Sequence, residues 1–268
     1  MRKKTKRLYI ILGLFFSVLV IYLFWGPLFP WNPIKIGYTK IDTPKAVIYI
    51  SNITTKDSVV YHIGKIISEE EKFHDLKFKN KIKIIVLDEE SNMKRYLPWL
   101  SGSKYSVSLS MVDLIYIGPT ARKSLEGIET HLKHELSHML MDQNTTHTAA
   151  KLIHNQGWFA EGIAEYFSGH KFLTKSEFIE LCKSKNLRFV SLLEKNPLNM
   201  SIGEIRLRYT FYKFFIEFLV KEFGIKKLQQ YLKKYIKNPH NYKKLFLEIY
   251  SIDLNELLKK FNFKIIQT

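Results

Sequence analysis

The feature that most limits how this chain can fold is an uncharged run of 18 residues near its N-terminus, Leu8–Trp25, in which only Ser17 is polar. As a helix rising about 1.5 Å per residue, the run nearly spans the roughly 30 Å hydrocarbon core of a bilayer. A cleavable signal peptide has a shorter apolar region, followed by small residues at the cleavage site. This run ends in aromatic residues and Gly26-Pro27, so the sequence predicts an uncleaved transmembrane signal anchor over residues 8–25.

The residues that precede the run set its expected orientation. Five cations lie in the first seven residues: Arg2, Lys3, Lys4, Lys6 and Arg7. Such flanking cations tend to stay on the cytoplasmic side of a membrane. We therefore expect a cytoplasmic basic tail over residues 1–7 and a single-pass protein of the cell membrane, with everything after the anchor outside the cytoplasm.

The composition excludes several classes of protein. The chain has 42 Lys plus Arg against 25 Asp plus Glu, a net charge of +17, yet its hydrophobic fraction of 46% is typical of a folded chain. Its single cysteine, Cys182, excludes an internal disulfide framework and a Cys-rich zinc finger. A metal site in this chain must therefore use histidine and carboxylate ligands.

The segment after the anchor indicates a linker and then a sheet. Residues 26–44 contain four prolines and are predicted to be a linker, and residues 45–265 are predicted to form one domain. Two β-rich runs, Ala46–Ser51 and Lys81–Leu87, flank a helical pattern over Val59–Ile67, which indicates strand, helix, strand. A short helix is predicted at 90–97. Tyr105–Met111 and Leu114–Ile117 then indicate neighbouring strands that turn at Val112-Asp113.

From Ala121 onward the pattern is helical, and the predicted helices are Ala121–Met141, Trp158–Tyr166, Lys175–Cys182, Arg208–Phe223, Ile225–Ile236, Tyr242–Tyr250 and Leu254–Phe261. The predicted fold class is therefore α+β, with a transmembrane helix, a small mixed sheet with helices, and a mostly helical second half.

The first predicted helix of that half contains His134-Glu135-Leu136-Ser137-His138. Residues four apart lie on one face of a helix, so both imidazoles can reach one metal ion. Glu135 projects about 100° around the axis, beside the ion, where a general base for a metal-activated water belongs. The alternative is a solvated face of histidine and glutamate without metal.

A catalytic zinc needs a third protein ligand and one open position. Downstream, Trp158–Tyr166 reads WFAEGIAEY, an amphipathic segment in which Glu161 and Glu165 are four residues apart on one face. Glu161 follows His138 after 22 intervening residues. Trp158 is most simply a core anchor for this helix.

HELSH followed by WFAEGIAEY resembles the gluzincin metallopeptidases, and in particular the short peptidase MA-like domain. The resemblance spans roughly residues 45–265, but about 20 positions in the two segments carry its specificity. It implies one zinc per chain, held by His134, His138 and Glu161. It also implies a zinc-dependent peptidase in which Glu135 acts as general base on a peptide or protein substrate.

The same resemblance implies supporting roles for two further residues. Glu165 would hydrogen-bond one of the ligand imidazoles, and the sequence leaves open whether that is His134 or His138. Gluzincins commonly supply a Tyr or His that stabilises the oxyanion, and Tyr209 is our choice, ahead of His147 and His154. The alternatives are an exposed helix Glu at Glu165 and ordinary core packing at Tyr209.

Other metal and protease readings fit less well. His131 and His134 form an HxxH pair, but that pair would leave the second motif unexplained, so we expect His131 on the surface or behind a ligand. An intramembrane protease would carry HELSH inside its membrane span. An aminopeptidase of this group would contain a GxMEN-like segment, which is absent from the sequence. An endopeptidase, or a peptidase with a narrow, unknown substrate, is therefore preferred over an aminopeptidase.

A reading from a different class is a basic cell-surface binding protein. Eight lysines lie in the C-terminal helical region, with Glu222 the only acid between them: Lys221, Lys226, Lys227, Lys233, Lys234, Lys237, Lys243 and Lys244. Such a surface could bind an anionic lipid or a wall polymer, with a structural or vestigial metal site elsewhere. No nucleic-acid-binding motif accompanies the lysines, so nucleic acid is not expected as a partner.

Overall fold

A computed structural model of the chain describes residues 3–50, 56–87, 94–98, 106–122, 125–184, 192–193 and 201–267. Part of the predicted short helix at 90–97, and Tyr105 at the start of a predicted strand, lie outside the described residues. The chain divides into two compact units. The first comprises Met1–Gly64 with Lys81–His131, and the second comprises Lys65–Asn80 with Leu132–Thr268.

The first unit contains a mixed five-stranded sheet in the order β1-β2-β3-β5-β4. Its strands are β1 Thr39–Asp42, β2 Ala46–Ile50, β3 Ile82–Val86, β4 Ser106–Leu109 and β5 Leu114–Ile117. The three central strands are parallel, and each edge strand is antiparallel to its neighbour. The parallel β2–β3 pair confirms the predicted strand, helix, strand order. The predicted turn between β4 and β5 is also present, with Asp113 in the left-handed conformation.

The region predicted to be a linker is partly folded, which is a correction to the sequence analysis. A 3-10 helix forms at Phe29–Trp31, and Phe29 stacks on Tyr96 with ring centroids 4.0 Å apart. β1 also lies inside the predicted linker and pairs with β2. The sequence did not predict this strand, because a four-residue edge strand is too short to show a clear alternation of polar and apolar residues.

The N-terminal helix α1 spans Lys3–Trp25. Its segment Thr5–Trp25 is long and apolar enough to cross a membrane, and it is exposed along its length. Among the described residues it is the one helix with these properties.

The remaining helices are α2 Lys56–His74, α3 Pro119–Arg122, α4 Leu125–Gln143, α5 His147–Gln156, α6 Trp158–Ser168, α7 Lys175–Ser184, α8 Ile202–Phe223, α9 Ile225–Tyr235, α10 Tyr242–Tyr250 and α11 Leu254–Gln267. The mixed sheet and the helical second unit confirm the α+β class.

Several helices differ from the predictions in their bounds, and one was not predicted. Within the predicted helix Ala121–Met141, the structure describes α3 and α4 on either side of residues 123–124, which lie outside the described residues. α8 begins six residues earlier than predicted, because Ser201 and Glu204 form a reciprocal capping box at its N-terminus. α5 was not predicted, although Thr146 caps it by accepting a hydrogen bond from the Ala149 N–H.

The core of the second unit depends on a close approach of α6 to α8. A Cβ atom at Gly162 would lie 2.8 Å from Ile216 Cγ1 and 3.1 Å from the Tyr212 carbonyl oxygen, so only glycine fits this spacing. Trp158 is buried as expected, with its ring against those of Phe159, Phe215 and Phe246. This packing fixes the position of the helix that carries Glu161.

Candidate metal centre

Three donor atoms from α4 and α6 converge in the second unit. The Nε2 atoms of His134 and His138 are 3.2 Å apart. Glu161 Oε2 lies 3.5 Å from each of these nitrogens. The three residues offer donor atoms that all lie within 4.8 Å of one another, as a metal site requires.

The chain reaches this geometry through a tight junction between α5 and α6. Gly157 ends α5 and begins α6 with a φ of 66°, a left-handed value that favours glycine. The Glu161 N–H donates to the Gly157 carbonyl at 2.8 Å, so Glu161 lies in the first turn of α6. The positive end of a helix dipole favours an anionic side chain at this position.

The residues fit a tetrahedral zinc ion. With metal–ligand bonds of about 2.0–2.1 Å, two ligand atoms of a tetrahedral ion are about 3.3–3.4 Å apart, close to the three separations found here. Glu161 Oε2 is buried without a hydrogen-bond donor, and the two Nε2 atoms face one another. A cation between these three atoms would satisfy all of them.

Glu165 contacts one of the two imidazoles. Its Oε1 lies 3.0 Å from His134 Nδ1, and its Oε2 lies 3.2 Å from the Nδ1 of His170. Of the two imidazoles left open by the sequence, Glu165 therefore faces His134. This contact favours the tautomer of His134 that has its proton on Nδ1, which leaves Nε2 free to bind a metal.

The charges around His134 and Glu165 stabilise each other. Burial alone would lower the pKa of His134, but the carboxylates of Glu165, Glu161 and Glu135 raise that pKa to about 10. Burial alone would raise the pKa of Glu165, but His134 and His170 lower it to about 2. Burial likewise acts to raise the pKa of Glu161, while His138 and His134 hold it below its ordinary value.

Tyr209 and Glu135 lie within the electrostatic field of this cluster. The negative charge of Glu161 and the burial of the ring raise the pKa of Tyr209 far above its ordinary value, with further contributions from Glu165 and Glu135. Tyr209 therefore keeps its proton and can donate it in a hydrogen bond. Glu135 itself is buried, with a relative exposure of 8%.

His154 also lies beside the donors, whereas His147 is exposed at the start of α5. The His154 Nε2 atom lies 2.9 Å and 3.1 Å from the two carboxylate oxygens of Asp142. Its ring centroid is 5.5 Å from that of His138. The contact with Asp142 raises the pKa of His154 despite its partial burial.

Sequence reasoning missed two groups of residues near the site. His170, which follows Gly169 just after α6, contacts Glu165 as described above. Behind the HELSH turn, Ser137 Oγ lies 2.5 Å from Glu70 Oε1, and His74 Nδ1 lies 3.1 Å from the same oxygen. Glu70 and His74 belong to α2 and are at least 99% buried. No short sequence motif links residues so far apart.

Among the described residues, two groups could hold a metal ion: His134 with His138 and Glu161, and His134 with Glu165 and His170. Neither group includes His131. Within the lysine-rich region, two lysines bind carboxylates: Lys233 Nζ lies 2.6 Å from Asp75 Oδ2, and Lys234 pairs with Glu248.

Comparison with known proteins gives two findings. The chain is similar in fold to native leukotriene A4 hydrolase from Saccharomyces cerevisiae, at 13% identity and a TM-score of 0.45. That likeness covers 80% of this chain and 36% of the hydrolase, so the chain spans about a third of the hydrolase's length. A search of curated protein sequences gives no match.

The second finding concerns the family. The profile of the Peptidase MA superfamily matches residues 68–267, about three quarters of the chain, and the match includes both HELSH and WFAEGIAEY. It confirms the resemblance on which the sequence analysis relied. This chain belongs to the Peptidase MA superfamily.

Proposed function

We propose that this protein is a membrane-anchored zinc peptidase whose ion is held by His134, His138 and Glu161. The observation that carries the proposal is the triangle of donor atoms, with sides of 3.2, 3.5 and 3.5 Å. Three protein ligands leave a fourth position open, as catalytic rather than structural zinc sites do. Zinc bound there would act as a Lewis acid on the scissile carbonyl and on the attacking water.

The residues around the ligands have complementary roles in hydrolysis. Glu135 accepts a proton from the attacking water and later delivers it to the nitrogen of the leaving amine. Glu165 holds His134 in the tautomer that presents Nε2. Tyr209 donates its hydroxyl proton in a hydrogen bond to the carbonyl oxygen as negative charge develops there.

His154 is a second donor to the reacting groups in this proposal. The Asp142 carboxylate orients its ring and favours its protonated form. Tyr209 belongs to α8 and His154 to α5, so the two donors are carried by different helices. Together they can bind the carbonyl oxygen and a neighbouring polar group of the substrate.

The proposed location is the cell membrane, with α1 as a single-pass anchor and the catalytic residues outside the cytoplasm. The exposed apolar surface of α1 supports this location. Cysteine labelling of intact cells tests it, with one cysteine introduced before α1 and one at the exposed Ser251, in a Cys182→Ala background. Labelling of position 251 alone is expected, and labelling of the N-terminal position alone would contradict the orientation.

The proposed activity is cleavage within a peptide rather than removal of its first residue. The absence of a GxMEN-like segment supports an endopeptidase. A library of peptides blocked at the N-terminus distinguishes the two activities. An endopeptidase cleaves the blocked peptides, whereas cleavage restricted to free N-termini would show an aminopeptidase.

The central test separates the metal from the chemistry. Glu135→Gln should keep one zinc per chain and lose about 10²- to 10⁴-fold in rate, because it removes only the general base. Glu161→Ala should lose zinc and activity together. Glu256→Gln, an exposed glutamate on α11, is the matched control and should behave as wild type. Full zinc occupancy in Glu161→Ala would show that the third ligand is wrongly assigned.

The alternative is a basic cell-surface protein that binds an anionic lipid or a wall polymer through the lysine-rich region. Six of its lysines are exposed: Lys221, Lys226, Lys234, Lys237, Lys243 and Lys244. Zinc content and peptide cleavage distinguish the two functions, because the binding function needs neither. Tight binding of anionic vesicles by a protein that cleaves no peptide of the library would favour the alternative.

A further inference from the structure

Three buried polar side chains, Glu70, His74 and Ser137, form a hydrogen-bonded group behind the HELSH turn, the helical turn His134–His138. This group takes no part in the chemistry proposed above. Ser137 Oγ lies 2.5 Å from Glu70 Oε1 and 3.2 Å from the carbonyl oxygen of Lys133. His74 Nδ1 lies 3.0 Å from the carbonyl oxygen of Glu70 and 3.1 Å from Glu70 Oε1. Glu70 and Ser137 have relative exposures of 0%, and that of His74 is 1%.

The number of protons that these three side chains can donate limits which of them can be charged. A hydroxyl has one proton, and the Lys133 and Glu70 carbonyl oxygens can only accept. If Glu70 is protonated, it donates to Ser137, Ser137 donates to Lys133, and His74 donates to the Glu70 carbonyl. Every proton then has an acceptor. The atoms left without a partner, Glu70 Oε2 and His74 Nε2, are both acceptors.

The ionised arrangement leaves the site worse satisfied. A Glu70 carboxylate would accept from Ser137 and His74 at Oε1, but its Oε2 would be a buried charged oxygen that has no donor. Protonation of His74 beside it would add a buried Nε2–H donor that has no acceptor. Buried charges are tolerated only when they are fully hydrogen-bonded. Burial also raises the pKa of Glu70 well above its ordinary value and lowers that of His74 to about 4.

Charged groups on α4 act against the neutral form of Glu70 without reversing it, whereas His138 favours the neutral form of His74. The positive charges of His134 and Lys133 act to lower the pKa of Glu70, as does its bond with Ser137. The positive charge of His138 acts with burial to lower the pKa of His74. Burial, which disfavours the charged form, remains the largest influence on the pKa of both residues.

We propose that Glu70 is a neutral carboxylic acid that positions the HELSH turn, by donating its proton to Ser137 and so fixing the rotation of the turn that carries both imidazoles. Ser137 lies between the two histidines in sequence, and its second contact is with the carbonyl of Lys133, directly before His134. A rotation of this turn would move both Nε2 atoms relative to Glu161. Glu70 is therefore a positioning residue, and its effect on zinc rests on the metal site of the proposed function.

Infrared spectroscopy of the metal-free protein tests the protonation directly. The difference spectrum of wild type minus Glu70→Gln at neutral pH should contain the C=O stretching band of a protonated carboxylic acid. The matched control is Glu71→Gln, one residue away and also buried, because Glu71 accepts from Lys77 Nζ at 3.0 Å and from the Phe78 N–H. Its difference spectrum should lack the band. A carboxylate band in the Glu70 spectrum would overturn the proposal.

Zinc affinity, measured by competition with a chelator, tests the positioning role. Glu70→Gln keeps a donor for Ser137 and should retain affinity within about twofold, whereas Glu70→Leu and Ser137→Ala should each lose about 10- to 100-fold. The double variant should be no weaker than the poorer single variant, because both break the same contact. Equal losses in Glu70→Gln and Glu70→Leu would overturn the proposal.

Two features keep this result separate from the proposed function. The infrared band needs neither zinc nor activity, so it can appear even if the protein proves not to be a peptidase. If Glu70→Leu does not fold, Glu70→Gln and Ser137→Ala still decide the matter. Retained affinity in the first and reduced affinity in the second support the proposal, and the reverse order contradicts it.

Discussion

His134 Nδ1 lies 3.0 Å from Glu165 Oε1, and the other oxygen of Glu165 lies 3.2 Å from His170. One carboxylate, buried to 99%, is thus shared by a proposed metal ligand and by a histidine outside the ligand set. The arrangement fixes the tautomer of His134 and increases the basicity of its free nitrogen.

We expect Glu165→Ala to weaken zinc binding about 10- to 100-fold, because His134 would lose the group that orients it. Glu165→Gln should lie between wild type and Glu165→Ala, since the amide oxygen can still accept from Nδ1 but carries no charge. Chelator competition gives the affinities, and Glu256→Gln is the control. Wild-type affinity in Glu165→Ala would mean that packing alone orients His134.

The lowered pKa of His74 predicts that the free energy of unfolding falls in acid. Its pKa is about 4 in the folded protein and about 6.5 when unfolded, so the unfolded state binds more protons between these values. Stability is therefore lost as the pH falls from 6.5 to 4, by up to about 3 kcal/mol. Glu70 acts in the opposite direction, because its raised pKa favours the folded state as the pH falls toward 4.5.

The measurement is urea unfolding of the metal-free protein at several pH values, compared with His74→Gln. The stability difference between wild type and the variant isolates His74, because Glu70 is present in both. That difference should shrink as the pH is lowered from 7 to 4. His240→Gln, at an exposed position, should follow wild type throughout. Parallel curves for wild type and His74→Gln would show that His74 does not titrate as inferred.

The parts of this protein that the sequence predicts are those encoded locally. The spacing of His134 and His138 determines their common face wherever the helix lies, and Tyr242–Tyr250 is predicted with its observed bounds. Glu161 required the family resemblance, because nothing local brings the start of α6 to α4. The start of α8 could have been predicted from Ser201 and Glu204, which form a capping box readable in the sequence.

The remaining contacts depend on tertiary packing. Glu70 and Ser137 are 67 residues apart, and their pairing follows from how α2 packs on α4. His170 lies beyond the end of α6, where no periodicity extends. β1 is a four-residue edge strand, held by its pairing with β2 rather than by a pattern of its own. Each of these features depends on a contact with another segment of the chain, and the sequence alone does not show which segment that is.

The close packing of Gly162, in the WFAEGIAEY segment, predicts that a larger residue there destabilises the protein. Gly162→Ala should lower the free energy of unfolding by about 1–3 kcal/mol, because the added methyl group would overlap Ile216 and crowd the backbone of Tyr212. Gly203→Ala is a matched control in α8, since a Cβ there meets nothing within 4 Å. The control should be neutral or stabilising by up to about 1 kcal/mol. Chemical denaturation measures both, and equal stabilities would show that α6 and α8 can separate at little cost.

Tyr209 predicts a catalytic effect that leaves the metal in place. The charge of Glu161 and burial raise its pKa far above the ordinary value, so the hydroxyl stays protonated and can donate a hydrogen bond to developing negative charge. Removing one such donor typically costs about 10²- to 10³-fold in kcat. We therefore expect Tyr209→Phe to lose activity to this extent, with KM little changed and zinc content unchanged.

The control for Tyr209→Phe is Tyr212→Phe, on the same helix. The Tyr212 hydroxyl donates to the carbonyl of Leu192 at 3.0 Å, so it is not free to bind a substrate. Loss of that bond should lower stability by about 1 kcal/mol and leave kcat within a few-fold of wild type. If Tyr209→Phe and Tyr212→Phe reduced kcat equally, Tyr209 would be a packing residue. His154→Gln would then be the next variant to measure, because His154 is the other donor beside the ligands.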